Sequence, residues 1–438
     1  MLALAEIQSG LLRARPTPYA ATYILLRVDD AAAGRAVIGR LADVVASAAD
    51  ASSPAGDAWV SVALTYQGLK ALGVPQSSLD SFSWEFRQGM AARAKALGDV
   101  GDSSPEHWEW PLGTPDVHVV ITAVAPDSER LEALLVGARK TYRDAKGVTA
   151  IWRQDCHALP TEKEPFGYHD GISHPAIEGS GVPGSNPHEQ PFKSGEFVLG
   201  YPDETGSLPP MPQPEVLGRN GTYIVFRKLH ERVAEFRRYL REQAKSPEDE
   251  ELLAAKMMGR WRSGTPLALR PDRDDPAMGD DCARRNAFTY ADDPTGYKTP
   301  VGSHIRRANP RDASVAGVAR LHRMIRRGTV YGPELPEGVL EDDGVDRGLM
   351  FAFIGTHLDR QFEFVQSEWL NGGEFLGLSD EMKDPIAGDN RGDGTHTIPT
   401  RPIAKRLKGI PQFVVTRGGE YGFMPSLNAL RWIAALAT

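Results

Sequence analysis

Hydrophobic and polar positions alternate between two kinds of segment. YAATYILLRV (19–28) is a short, nearly continuous apolar run that predicts a buried strand, and AAGRAVIGRLADVVASAADA (32–51) follows with apolar residues at helical spacing. AWVSVALTY (58–66) predicts a second strand, GLKALGV (68–74) a short helix, VHVVITAVA (117–125) a third strand, and SERLEALLVGARKTYRDA (128–145) a long amphipathic helix. The pattern then returns. GTYIVFRKL (221–229) reads as a strand, HERVAEFRRYLREQA (230–244) as a helix and GLMFAFIG (348–355) as a strand, with QFEFVQ (361–366) continuing the extended run.

Strands alternating with helices in this order fit a ferredoxin-like α+β unit, an antiparallel sheet with helices on one face. The expected fold is therefore α+β with two ferredoxin-like units packed together, one over residues 1–215 and one over 216–438, and a crevice between or beside them. Three long stretches rich in Gly, Pro and polar residues interrupt the pattern, at 160–215, 264–312 and 385–412. Loops of that length in a compact domain are usually functional or disordered. The third carries GDNRGDG, which lacks the spacing and distal Glu of a calcium loop and reads as solvated.

Composition narrows the function. The 438 residues are 41% hydrophobic and 25% charged, ordinary for a globular protein able to bury a core and a cofactor. A net charge of −8 gives no basic footprint for nucleic acid or an anionic membrane. No run of about 18 apolar residues suggests a membrane span, and the first residues lack the basic and apolar regions of a secretory signal, so a soluble, cytoplasmic protein is expected. The two cysteines, Cys156 and Cys282, sit in no Cys-x-x-Cys frame. A cysteine-held cluster is not expected.

Candidate chemistry concentrates in two loops. FGYHDGISHP (166–175) places His169, Asp170 and His174 together, and has three readings: a metal site of those three residues, a polar turn, or the acid–base end of a larger site. GSHIRRANPRD (302–312) sets one histidine, His304, among Arg306, Arg307 and Arg311, and MIRRGTVYG (324–332) adds an Arg-Arg-Gly turn.

In combination these segments resemble the dye-decolourising peroxidases, haem proteins built from two ferredoxin-like halves. The matching features are the Gly167-Tyr168-His169-Asp170-Gly171 frame, GSHIRRANPRD, the Arg-Arg-Gly-x-x-Tyr-Gly turn and QFEFVQSEW (361–369), with smaller matches in ALTYQGLKALGVP (63–75) and RGGEYGFMPSLNAL (417–430). The likeness runs nearly end to end, and the length is most similar to the larger bacterial and fungal members. It implies haem b in the C-terminal unit, with hydrogen peroxide as oxidant and bulky dyes, phenols or other aromatic molecules as electron donors, through a ferryl intermediate. The alternative it leaves is a haem-binding or haem-handling protein with incidental peroxidase activity.

The resemblance also implies roles. His304 matches the proximal iron ligand, a neutral imidazole that leaves the other haem face open. Arg311 suits a haem propionate, since guanidinium and carboxylate form paired charge-assisted bonds. Asp170 matches the distal acid–base residue and Arg326 the distal cation that steadies the peroxide anion. An acid should accept the second N–H of the proximal imidazole. If 361–366 is extended, Asp359 and Glu363 share a face, and Glu363 ranks ahead of Asp359 for that role.

Overall fold

A computed structural model describes residues 1–49, 57–313, 318–378 and 382–437. Its strands are β1 (Ala20–Val28), β2 (Trp59–Leu64), β3 (Val119–Ala125), β4 (Val148–His157), β5 (Thr222–Glu231), β6 (Ile325–Arg326), β7 (Thr329–Tyr331), β8 (Gly348–Gly355), β9 (Gly394–Ile398), β10 (Lys405–Ile410) and β11 (Val414–Met424). All but β9 and β10 belong to one nine-stranded sheet in the order β4-β1-β3-β2-β11-β5-β8-β6, with β7 also on β8. The order β4-β1-β3-β2 is repeated by β11-β5-β8-β6, so each half is a ferredoxin-like antiparallel unit. The halves join where β2 meets β11, at Leu64 opposite Phe423.

Alternation along β1 divides the core into two layers. Ile24, Leu26 and Val28 face one way and pack with Val37, Ile38 and Leu41 of the helix Ala31–Ala42. That helix begins where Asp30 accepts the N–H of Ala33 at 2.7 Å, which satisfies one of the free amides of its first turn. Its predicted tail ends early, and Asp50 and Ala51 lie outside the described residues. Tyr23 and Leu25 face the other way, onto Ile325, Tyr331 and Met350 from the second half. The sheet therefore curls, and the Tyr19 hydroxyl accepts the Val330 N–H at 2.7 Å across the gap between its ends.

One predicted element is corrected. Residues 361–366 are not extended; Leu358–Glu363 and Val365–Leu370 form wide helical turns, with the Asn371 N–H reaching back five residues to the Gln366 carbonyl. The shared-face argument for Asp359 and Glu363 fails with it.

Candidate active site

A cavity of about 280 Å³ lies against the second half of the sheet. Its floor is one face of three neighbouring strands, Leu229 and Glu231 of β5, Leu349 and Phe351 of β8, and Val414 and Thr416 of β11. The wide helix covers it with Phe362, Val365, Gln366, Trp369 and Leu370, a spacing of three and four that keeps one face turned inward. His304, Asp170, Arg311 and Arg326 all line this cavity, although they come from separate segments of the chain.

His304 opens the short helix His304–Ala308. The preceding Ser303 donates its hydroxyl to the Lys256 carbonyl at 2.6 Å, which fixes the helix start. Nδ1 of His304 lies 3.0 Å from Oδ2 of Asp384, a fully buried carboxylate. A carboxylate can only accept, so Nδ1 carries the proton and Nε2 is left with its lone pair for the cavity. The other Asp384 oxygen accepts the N–H groups of Ile386 and Ala387, both at 2.8 Å. Burial alone would push this carboxyl up, but His304, the Ala387 N–H and Arg307 outweigh it and hold it below the usual range.

The acid beside His304 is thus Asp384, not Glu363. Glu363 is committed elsewhere, to Arg93 at 3.0 and 2.5 Å and to the Tyr421 hydroxyl at 2.6 Å. Asp359 stands in the first wide turn and makes no contact with His304 among the described hydrogen bonds.

Asp170 rides on a loop that needs glycine on either side, since Gly167 has φ +95° and Gly171 φ +74°. Its Oδ2 is 3.9 Å from Arg15 Nη2, and Arg15 is held by the Gly328 carbonyl at 2.9 Å and the ring of Tyr19 at 4.2 Å. Arg326 ends β6 opposite Phe353 and faces the cavity, whereas the next residue, Arg327, is half-buried and donates to the Leu12 carbonyl at 3.0 Å.

Of the other residues read as possible metal ligands, His174 is pushed down to about 2 by burial and by Arg327, Arg326, Arg15 and Arg323 around it. Such surroundings repel a cation. Among the described residues there is no group of three or more His, Cys, Asp or Glu able to hold a metal ion.

The arginines divide by what occupies them. Arg306 and Arg307 are buried and spend their N–H groups on backbone carbonyls of Asp293, Thr299, Trp369 and Gly372, so they hold loops together. Arg311 lies 3.7 Å over the Phe288 ring and donates to the Asn286 and Phe288 carbonyls. Arg260 and Arg323 also line the cavity, lowered to about 9 and about 10, chiefly by burial. Arg323 has Glu189 at 3.7 Å but keeps a buried Nε without a partner, whereas Arg260, Arg311 and Arg326 have no carboxylate within ion-pair distance among the described residues. Buried cations that lack counter-charges call for an anion. An apolar slot with a free imidazole nitrogen and several such guanidiniums fits a flat, largely apolar iron chelate bearing carboxylates.

Comparison with known proteins identifies what the chain as a whole is similar to. The model of the DyP dimeric alpha+beta barrel domain matches residues 19–150. The chain is 32% identical over 414 residues to a dye-decolorizing peroxidase of Exidia glandulosa, across 89% of this chain and 79% of that protein. It is 30% identical over 470 residues to the multifunctional dye peroxidase DyP2 of an Amycolatopsis species, across 98% and 95%. A solved dye-decolorizing peroxidase in complex with 2,6-dimethoxyphenol superposes with a TM-score of 0.87 at 29% identity, across 99% of this chain and all of that one.

Proposed function

The chain belongs to the dye-decolourising peroxidase family and is a haem-dependent peroxidase, and on that premise we propose that it uses hydrogen peroxide to oxidise dyes and phenolic or other aromatic donors, with haem b as its cofactor. The observation that carries the reading is one cavity lined by His304, whose Nδ1 is tied to Asp384, and by Asp170 and Arg326 from other elements of the wall. A protein that only handles haem needs the first of these and has no use for the other two.

In this reading His304 holds the iron through Nε2, and Asp384 orients the ring and makes it more basic by accepting its other N–H. Arg311, with Arg260 and Arg323 near it, neutralises the haem carboxylates. Bound haem supplies the two-electron reduction of peroxide and then takes single electrons back from donors. Asp170 accepts a proton from one peroxide oxygen and returns it to the other, which leaves as water. Arg326 keeps a fixed positive charge beside the anion that forms in between.

The test is rapid mixing of haem-loaded protein with peroxide, followed by its visible spectrum. The parent is expected to react quickly, Asp170→Asn to bind haem and react slowly, and His304→Ala to lose the haem band. An Asp170→Asn variant that reacts at the parental rate removes Asp170 from the proton transfer.

A further inference from the structure

Behind Asp170 stands a pair of buried carboxyls that the steps above do not use. Glu164 accepts the N–H of Phe166 at 2.9 Å and of Tyr168 at 2.7 Å through its two oxygens, while its own N–H donates to the Tyr168 carbonyl at 2.8 Å. It therefore braces the turn that carries Asp170. Glu231, the last residue of β5, is 3% exposed, and its carboxyl meets that of Glu164 side chain to side chain. Its Oε2 is buried with no hydrogen-bond partner.

Two carboxylates in hydrogen-bonding contact inside a protein repel strongly if both are ionised. One proton between them converts the repulsion into a charge-assisted O–H···O⁻ bond. Burial pushes both groups up, and Glu231 further, because it accepts no backbone N–H and faces both Glu164 and Asp170. Arg15, which shares a small pocket with Glu164, is turned to Asp170 at 3.9 Å and the Gly328 carbonyl, Lys163 stands in the same pocket, and the groups nearest the pair do not replace the proton. Arg262 is engaged by Glu251 at 3.0 Å, and Tyr168 and Tyr331 are neutral phenols raised well out of range by burial.

Glu164 and Asp170 share a second, smaller space. They line the main cavity and also a small pocket of about 10 Å³ that Arg15, Thr17, Glu162 and Lys163 share with Tyr19, Ala158 and Val330. That is about the room one water needs. The reaction needs protons there: reducing one hydrogen peroxide to two waters consumes two electrons, drawn from the donors, and two protons. Asp170 moves a proton between the two peroxide oxygens and adds none.

We propose that Glu164 and Glu231 hold one proton between them and serve the peroxide pocket as its proton store, Glu164 passing it to Asp170 by way of the water-sized pocket that Glu164 and Asp170 share. The demand for protons rests on the peroxidase reading. The shared proton does not, and it is read directly.

Infrared spectra of the purified protein between about pH 5 and 8 report protonated carboxyls by their C=O stretch. Glu231→Gln keeps a hydrogen-bond donor for Glu164 but cannot hold a titrating proton. The parent-minus-variant difference is expected to contain a protonated carboxyl band in acid that fades as pH rises. With a saturating donor, kcat of the variant should fall in acid and converge on the parent's in alkali, with KM for peroxide unchanged. Should Glu231→Gln not fold, Glu231→Asp is expected to shift the band while keeping it. No difference band at any pH overturns the shared proton. A band accompanied by parallel kcat profiles overturns the store and reduces the pair to a brace for the loop. A band in a parent that shows no peroxidase turnover supports the shared proton and counts against the peroxidase reading alone.

Discussion

At the scale of single residues, the two sides of the cavity separate by which property each substitution changes. Asp384→Asn removes the negative charge that Nδ1 of His304 faces at 3.0 Å and turns an amide towards backbone N–H groups it cannot accept from as well. The imidazole becomes a weaker donor to iron, so the iron reduction potential is expected to rise, while Glu363→Gln, which breaks contacts to Arg93 and Tyr421, leaves it unchanged. Redox titration of the two haem-loaded variants checks this, and a rise in Glu363→Gln alone would reverse the assignment. The adjacent arginines differ in the same way. Arg326→Leu is expected to slow the reaction with peroxide by about 10²-fold or more, equivalent to about 3 kcal/mol, with haem retained. Arg327→Leu instead frees the Leu11 and Leu12 carbonyls and should lower the melting temperature, with a smaller effect on that rate. Rapid-mixing rates and thermal melts of both variants decide which arginine meets peroxide.

At the scale of elements, local pattern and long-range contact were unequally legible. The strands β1, β2, β3, β5 and β8 announce themselves because each contains a dense apolar run that is largely buried. β4 does not, since it is an edge strand paired only to β1 and most of its side chains are partly or fully exposed. QFEFVQSEWL misleads in a different way. Phe362 and Phe364 suggest a period of two, yet Phe362, Val365, Gln366, Trp369 and Leu370 repeat at three and four, the helical signal that a six-residue window cuts off. Asp384 carried only the Asp-Pro sign of a turn; it lies eighty positions from His304, and folding alone brings the two together. The wide helix is itself anchored at its start. Arg360 donates to both oxygens of the fully buried Glu196, at 3.0 and 2.8 Å, and Gln361 to the Glu196 carbonyl at 3.0 Å. Arg360→Ala leaves that carboxyl buried without its cation, and is expected to cost about 3 kcal/mol or more. Denaturant unfolding measures the loss, and a change within about 0.5 kcal/mol would mean that Glu196 takes up a proton at no cost.

At the scale of the whole molecule, the same buried groups that shape the cavity set how stability responds to pH, and they pull in opposite directions. His174 titrates at about 2 in the folded chain against 6.5 for a free histidine, because it is buried among four arginines. Below pH 6.5 the unfolded chain binds a proton there that the folded chain refuses, so this residue costs stability as pH falls from 6.5 towards 2, by at most about 1.4 kcal/mol per pH unit. Glu420 does the reverse. Burial lifts it to about 7 from 4.5, against the N–H groups of Met90 and Tyr421 that it accepts at 2.9 Å. Between pH 7 and 4.5 the folded chain holds a proton that the unfolded chain releases, so Glu420 adds stability on acidification and has added all it can below 4.5. On acidification the folded chain therefore gains from Glu420 between pH 7 and 4.5 and loses to His174 from pH 6.5 downward. Two variants separate the contributions. His174→Gln should make the stability difference from the parent grow steadily in the variant's favour as pH is lowered from 6.5, whatever its offset at pH 7. Glu420→Gln should make it grow in the parent's favour from pH 7 down to about 4.5 and then hold constant. Unfolding free energies of the three proteins at a series of pH values read both slopes directly, and slopes of the same sign would show that one of the two groups does not carry its folded-state charge as argued.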